Sequence, residues 1–299
     1  MKKLVLIILV GLGLMIEINA QERYIFTQHY VNPILINPGA TGFSNAHNLL
    51  FNYRNKWAGF PGSPKTFAFS YDGLVMDKAG LGLFLMKDQF GSLEVLKGQL
   101  SYAYHLMGDN YKLGLGFTTE YLHYRAKSLL SGPGEFDETD PFLKERQLGD
   151  KFFDFTFGAH GSYGDKIVFD LVLPGMIRTK LESQGDNQDT TRSFNFIVGL
   201  GYKYKFPGYD FEITPSLFIK KLNKVPFHVE GNVLMSFYQG QLMGGVSYVY
   251  GADDRLGAML GTGLNKFKFF YSYNVSLNNF QSYNNGAHEI TIAFIIPKI

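Results

Sequence analysis

The feature that most limits what this chain can fold into is a two-residue alternation of side-chain character, repeated from His47 almost to the C-terminus. Residues 254–275 show it well. Leu256, Ala258, Leu260 and Thr262 fall on one side, and Arg255, Gly257, Met259, Gly261 and Gly263 on the other. Asn265-Lys266 turns the chain. Phe267, Phe269, Tyr271, Tyr273 and Val275 then oppose Lys268, Phe270, Ser272 and Asn274. Successive side chains of a strand point to opposite faces, so this is a hairpin with one apolar face and one small or polar face. The polar face is too rich in glycine and charge for the core of a soluble sandwich. Apolar outside and polar inside is the pattern of a transmembrane barrel strand. One such hairpin would also suit a sandwich edge; many in succession would not.

The alternation recurs over roughly 47–55, 65–72, 79–87, 94–107, 110–122, 152–162, 165–173, 192–206, 210–220, 227–238, 241–250, 254–263, 266–275 and 286–296. The expected fold is therefore all-β: a transmembrane antiparallel β-barrel of about 14 strands, each near the ~9–11 residues that a tilted strand needs to cross a bilayer. In 96–106, Leu96, Leu100, Tyr102, Tyr104 and Leu106 face out, against Lys97, Gln99, Ser101, Ala103 and His105. Phe153, Phe155 and Phe157 oppose Asp154, Thr156 and His160, and Ile290, Ile292, Phe294 and Ile296 oppose Glu289, Thr291 and Ala293. Pro215, inside a strand, predicts a bulge.

Loop lengths sort by parity. The odd connections include Lys127–Lys151, Pro174–Thr191 and Leu277–Asn285; the even ones include Met107–Asn110, Tyr163–Asp165, Gln239-Gly240 and Asn265-Lys266. Short turns at one end and long loops at the other are expected of an outer-membrane barrel, with the short turns periplasmic. An even strand count places both chain ends in the periplasm.

The start reads as an export signal, residues 1–20: Lys2 and Lys3, the apolar run Leu4–Met15, and a cleavage point at Ala20-Gln21. The alternative, a membrane anchor, is disfavoured by the run's length and by Glu17 and Asn19 directly after it. Residues 21–46 form an irregular leader with two Asn-Pro steps, Asn32-Pro33 and Asn37-Pro38, and 47–299 form the barrel. The leader is expected against or inside the barrel. The net charge of +2 gives no reason to expect nucleic acid as a partner. With no cysteine there is no disulfide and no thiolate chemistry.

Chemistry-bearing patterns are weak. Glu135, Asp137, Glu138 and Asp140 lack calcium-loop spacing and read as a solvated loop, as do Asp186–Asp189. Gly80/Gly82, Gly114/Gly116 and Gly199/Gly201 sit at period two within strands and read as lumen-facing small residues, not a nucleotide fingerprint. His105 and His160 face the expected lumen, but no nucleophile-elbow or zinc-protease motif accompanies them. No catalytic residue, metal site or cofactor is expected.

Thr27–Pro33 (TQHYVNP) and Asn37–Gly42 (NPGATG), then Tyr53–Trp57 (YRNKW), Gly59, Pro61–Pro64 and Thr66, resemble the PorP/SprF family of type IX secretion system outer-membrane proteins. Asp72, Gly80–Leu83, Asp88, Gly91, Ser101–Tyr104 and Gly286–Ile290 continue the resemblance over essentially the mature chain; Asn274 and Lys56 depart from it. The resemblance implies a non-enzymatic barrel in the outer membrane of a Gram-negative bacterium, within the secretion or gliding-motility machinery. It implies partners too: outer-membrane lipid, periplasmic components of the machine, and an exported cargo protein carrying a type IX C-terminal signal domain that the barrel helps export or anchor at the cell surface. A solute or fatty-acid channel is the alternative. Within this reading Gln28, Asn32, Asn37 and Pro38 are expected to contact the lumen, with Arg54 and Trp57 clamping the leader as a partial plug. The competing expectation is an extended periplasmic tail.

Overall fold

The computed structural model describes residues 26–126, 149–181, 194–222, 225–251 and 254–297. The segment expected to be an export signal and the acidic runs at 135–140 and 186–189 lie outside them. The strands among the described residues are β1 Ala46–Asn55, β2 Lys65–Leu74, β3 Ala79–Phe90, β4 Leu93–Met107, β5 Tyr111–Ala126, β6 Asp150–Tyr163, β7 Ile167–Lys180, β8 Phe196–Tyr202, β9 Tyr204–Lys205, β10 Phe211–Leu222, β11 Val225–Phe237, β12 Leu242–Tyr250, β13 Arg255–Leu264, β14 Phe267–Ser276 and β15 Ala287–Pro297. Apart from β8 and β9, which both pair with β10, each pairs antiparallel with its neighbours in sequence, and β15 pairs with β1 from Ala46↔Pro297 to Asn55↔His288. The sheet is thus a closed barrel, which leaves no open edge in the bilayer. β8 and β9 are collinear parts of one stave in unbroken register with β10, so the barrel has 14 staves.

The alternation dictates the layering. Leu260 is 66 % exposed and Phe51 59 %, while their sequence neighbours Met259 and Asn52 are buried. Outward apolar side chains meet hydrocarbon; inward polar ones line the lumen. Outward rings gather near the short-turn end, where Phe206, Phe211 and Phe237 stack at centroid distances of 4.9 and 4.7 Å. Such a girdle suits the membrane interface. Every even-numbered connection is short: 75–78, 108–110, 164–166, 206–210, 238–241 and 265–266. β1 begins and β15 ends at that same end.

Three local readings need correction. Pro215 makes no bulge: it pairs in register with Val233, and the irregularity between β10 and β11 lies at Lys220–Leu222. Its missing N–H shows instead across the sheet, where β8 gives way to β9 at Lys203, opposite Thr214. The loop expected from Pro174 starts later, because β7 continues to Lys180 through a register shift around Pro174–Met176, with Gly175 at φ 62°. The loop expected to end at Lys151 stops earlier, since β6 begins at Asp150.

Candidate functional site

The leader lies inside the barrel. Three 3-10 turns, Thr27–Tyr30, Pro33–Leu35 and Pro38–Ala40, carry it through the lumen toward β1. The Asn-Pro steps explain the shape. Proline pushes the preceding asparagine to extended geometry and presets the first residue of the next turn. Asn32 and Asn37 have ψ of 76° and 110°, and each is followed by a turn starting at proline. Asn37 also accepts the Gly39 N–H at 2.9 Å.

Near the long-loop end the leader is fastened to Glu289, which is fully buried on β15. The Thr27 and Gln28 N–H groups donate to its carboxylate at 2.9 and 3.4 Å, and Asn52 Nδ2 donates at 3.0 Å. Arg54 Nε stands 3.9 Å away. Gln28 Nε2 donates to Ser272 Oγ and to the Glu289 carbonyl, both at 3.2 Å. A buried carboxylate needs several donors to offset lost hydration, and two of these come from the leader backbone.

A second fastening is ionic. His29 Nε2 lies 3.0 Å from Glu230 Oε1 and 3.0 Å from Lys220 Nζ, and Lys220 itself donates to Glu230 Oε2. All three are buried, and the His29 ring sits edge-on to Phe218 at 4.7 Å. Burial first, and then the Lys220 ammonium, hold His29 below the ordinary histidine pKa.

The third fastening joins side-chain hydrogen bonds to close packing of leader backbone on strand backbone. Asn37 Nδ2 donates to Asp170 Oδ1 at 2.7 Å and to the Ala159 carbonyl at 2.9 Å, and His160 Nδ1 lies 2.8 Å from the same Asp170 oxygen. Pro38 and Gly39 lie on strand glycines. A Cβ at Gly114 would stand 2.1 Å from the Gly39 carbonyl oxygen, and one at Gly116 2.4 Å from that of Pro38. Gly80 bears the same relation to Thr41, at 2.2 Å. His105 Nε2 lies 2.9 Å from the Thr41 carbonyl oxygen, and Gly42 N–H donates to Asp72. Lys112 donates to the Phe43 carbonyl where the leader leaves for β1.

The expected contact residues therefore separate. Gln28, Asn37 and Pro38 are buried against the lumen wall, and Arg54 lies beside Glu289, the carboxylate that receives the leader. Asn32 is half-buried, and its Nδ2 makes no hydrogen bond among the described residues. Trp57 sits at φ 57° in the β1–β2 connection, edge-on to Phe90 at 5.7 Å. The sequence reading did not assign His29, Lys220, Glu230 or Asp170 to the site. The available signal was charge at inward positions of membrane strands, which is costly unless paired. His105 and His160 hold the leader and its neighbours. Among the described residues no cluster of side chains suits a metal ion.

Fold and site together define an outer-membrane β-barrel whose lumen is occupied by its own N-terminal leader. The chain belongs to the PorP/SprF family: the family described as type IX secretion system membrane protein PorP/SprF matches residues 18–294. No curated protein matches it. Among solved structures it is similar to a deltaS2S3 mutant of the monoaromatic hydrocarbon channel TodX, at 11% identity over 92% of this chain and 95% of that one, with a TM-score of 0.50. Omp33 of Acinetobacter baumannii follows at 8% identity, 85% and 98% coverage and TM-score 0.47, and a KdgM porin at 9%, 83% and 98%, and 0.42. The TodX likeness is one of barrel fold alone.

Proposed function

We propose that this barrel holds an exported cargo protein, one with a type IX C-terminal signal domain, at the outer face of the membrane, and that it works with periplasmic components of the secretion machine. The observation that carries this reading is the leader's seat. A solute or fatty-acid channel needs a continuous lumen, whereas here a folded segment crosses it on three fastenings. A barrel filled this way serves better as a rigid membrane mount than as a conduit. The long-loop end is the one that faces outward, so cargo contact belongs there. Deleting residues 127–148 should release cargo into the medium, read by immunoblot of cells and supernatant, while the barrel keeps its heat-modifiable gel mobility. Cargo that stays on the cell would overturn the role.

A further inference from the structure

The outer wall of the barrel carries a groove of about 670 Å³ over β1–β5 and the adjoining face of β15. Its floor can be read off the register. Ile292, Phe51, Phe69, Leu85, Gly98 and Tyr121 lie side by side across the sheet, all on the hydrocarbon-facing side. Gly98 interrupts this row of large side chains. No neighbour demands a glycine there, because a Cβ would meet only Leu85 Cδ2, at 3.8 Å. Gly80, Gly114 and Gly116 under the leader are the reverse case, since a Cβ at each would strike leader backbone. Glycine inside a strand is unfavourable and marks places where something approaches the backbone closely.

Directly above the groove, toward the long-loop end, basic side chains appear among the outward positions. Lys87 lies one outward step above Leu85, and Lys151 and His123 continue its row. Lys65, Gln89, Glu94 and Arg125 form the next row. Glu94 is the one acidic side chain among these outward groups, and both Lys87 (3.1 Å) and Arg125 pair with it. Lys65, Lys87 and Arg125 against Glu94 leave a surplus of positive charge at headgroup height in the outer leaflet.

We propose that this groove is a binding site for a phosphate-bearing acyl lipid of the outer leaflet, with one chain lying over Gly98 and the phosphate facing the Lys65–Lys87–Arg125 rim. An apolar trough in the hydrocarbon fits an acyl chain, and the surplus of cations selects an anionic headgroup. The basic rim favours lipid over a second copy of the chain, which would bring an identical rim against this one.

The test uses the full-length protein, purified in detergent and delipidated, then titrated with diphosphorylated lipid A in native mass spectrometry. The wild type should hold one lipid A, and hold its monophosphorylated form several-fold more weakly. Gly98→Leu fills the trough and should lower retention at least tenfold. Lys65→Gln with Lys87→Gln changes only exposed positions and should abolish the preference for two phosphates. Equal retention by all three proteins would overturn the site. A dimer mass that Gly98→Leu alone removes would also overturn it, in favour of a protein partner. If Gly98→Leu fails to fold, as judged by heat-modifiable mobility, the lysine variant still decides.

Discussion

At the scale of single residues, the leader's hold depends on charges that have no water to retreat to. Replacing Glu289 by Ala would strip the Thr27 and Gln28 N–H groups of their acceptor and leave Arg54 without its carboxylate. Leaving buried donors unmet costs about 1–3 kcal/mol each. The chain has no native cysteine, so a single Ile34→Cys probe on the leader reports its release cleanly. Maleimide labelling of that probe should quicken at least tenfold in the Glu289→Ala background; an unchanged rate would show that Glu289 does not hold the leader. His29 adds a dependence on pH. Its pKa is lowered by burial and by Lys220, with Glu230 and the more distant Asp170 opposing the shift. The seated leader therefore binds fewer protons than a released one. Seating is at full strength above about pH 6.5, the ordinary histidine value, and weakens as pH falls below it. Planar-bilayer leak current should rise from pH 8 to pH 5 in the wild type and stay flat in His29→Gln.

At the scale of elements, β5 offers a sharper test of how leader and wall fit. Gly114→Val places a branched side chain where the Gly39 carbonyl lies 2.1 Å from the Cβ position. Valine suits a strand, so the barrel should still assemble, while the leader is displaced at a cost of about 1–3 kcal/mol. Gly201→Ala is the control: its Cβ would meet Ser216 Cβ at 3.4 Å, an ordinary contact. Labelling at Ile34→Cys should rise in the first variant and not in the second. The same elements show what the sequence could reveal. The staves were legible because hydrocarbon on one side and a lumen on the other impose a period of two, and residues such as Leu100 and His105 obey it. Stave ends were less so, since β7 passes Pro174 by a bulge that no alternation announces. The leader's route was least legible. Three short turns have no period, and their partners, among them Asp170, Glu230 and Glu289, lie more than a hundred residues away along the chain. Trp57 was hard to place for a related reason: an aromatic in a loop can reach several neighbours, and here its ring lies edge-on to Phe90.

At the scale of the whole molecule, wall and filling are separable. The barrel closes through its own ladder, β1 on β15 included, and no stave depends on a leader residue for its backbone pairing. Deleting residues 26–43 should therefore leave a folded, heat-modifiable barrel. What the deletion uncovers is mixed: Glu289, Ser272, Lys220, Glu230, Asp170 and the glycine track on β5 face the vacated space, beside Phe84, Phe218, Met259 and Phe270. Water can solvate the polar groups, and the closed ladder holds the staves apart around the apolar ones. The deleted barrel should conduct ions in planar bilayers at neutral pH, where the intact protein stays closed. It should also become permeable to small solutes in liposome-swelling assays. The two measurements separate the roles. If the deletion conducts but still retains cargo on cells, the leader is a seal and the mount lies in the wall and outer loops. If it conducts and releases cargo, the seated leader also shapes the cargo-holding end. A deletion that folds yet stays closed would mean that the staves alone shut the lumen, and the leader's three fastenings would then have to be explained by assembly of the barrel and not by its closure.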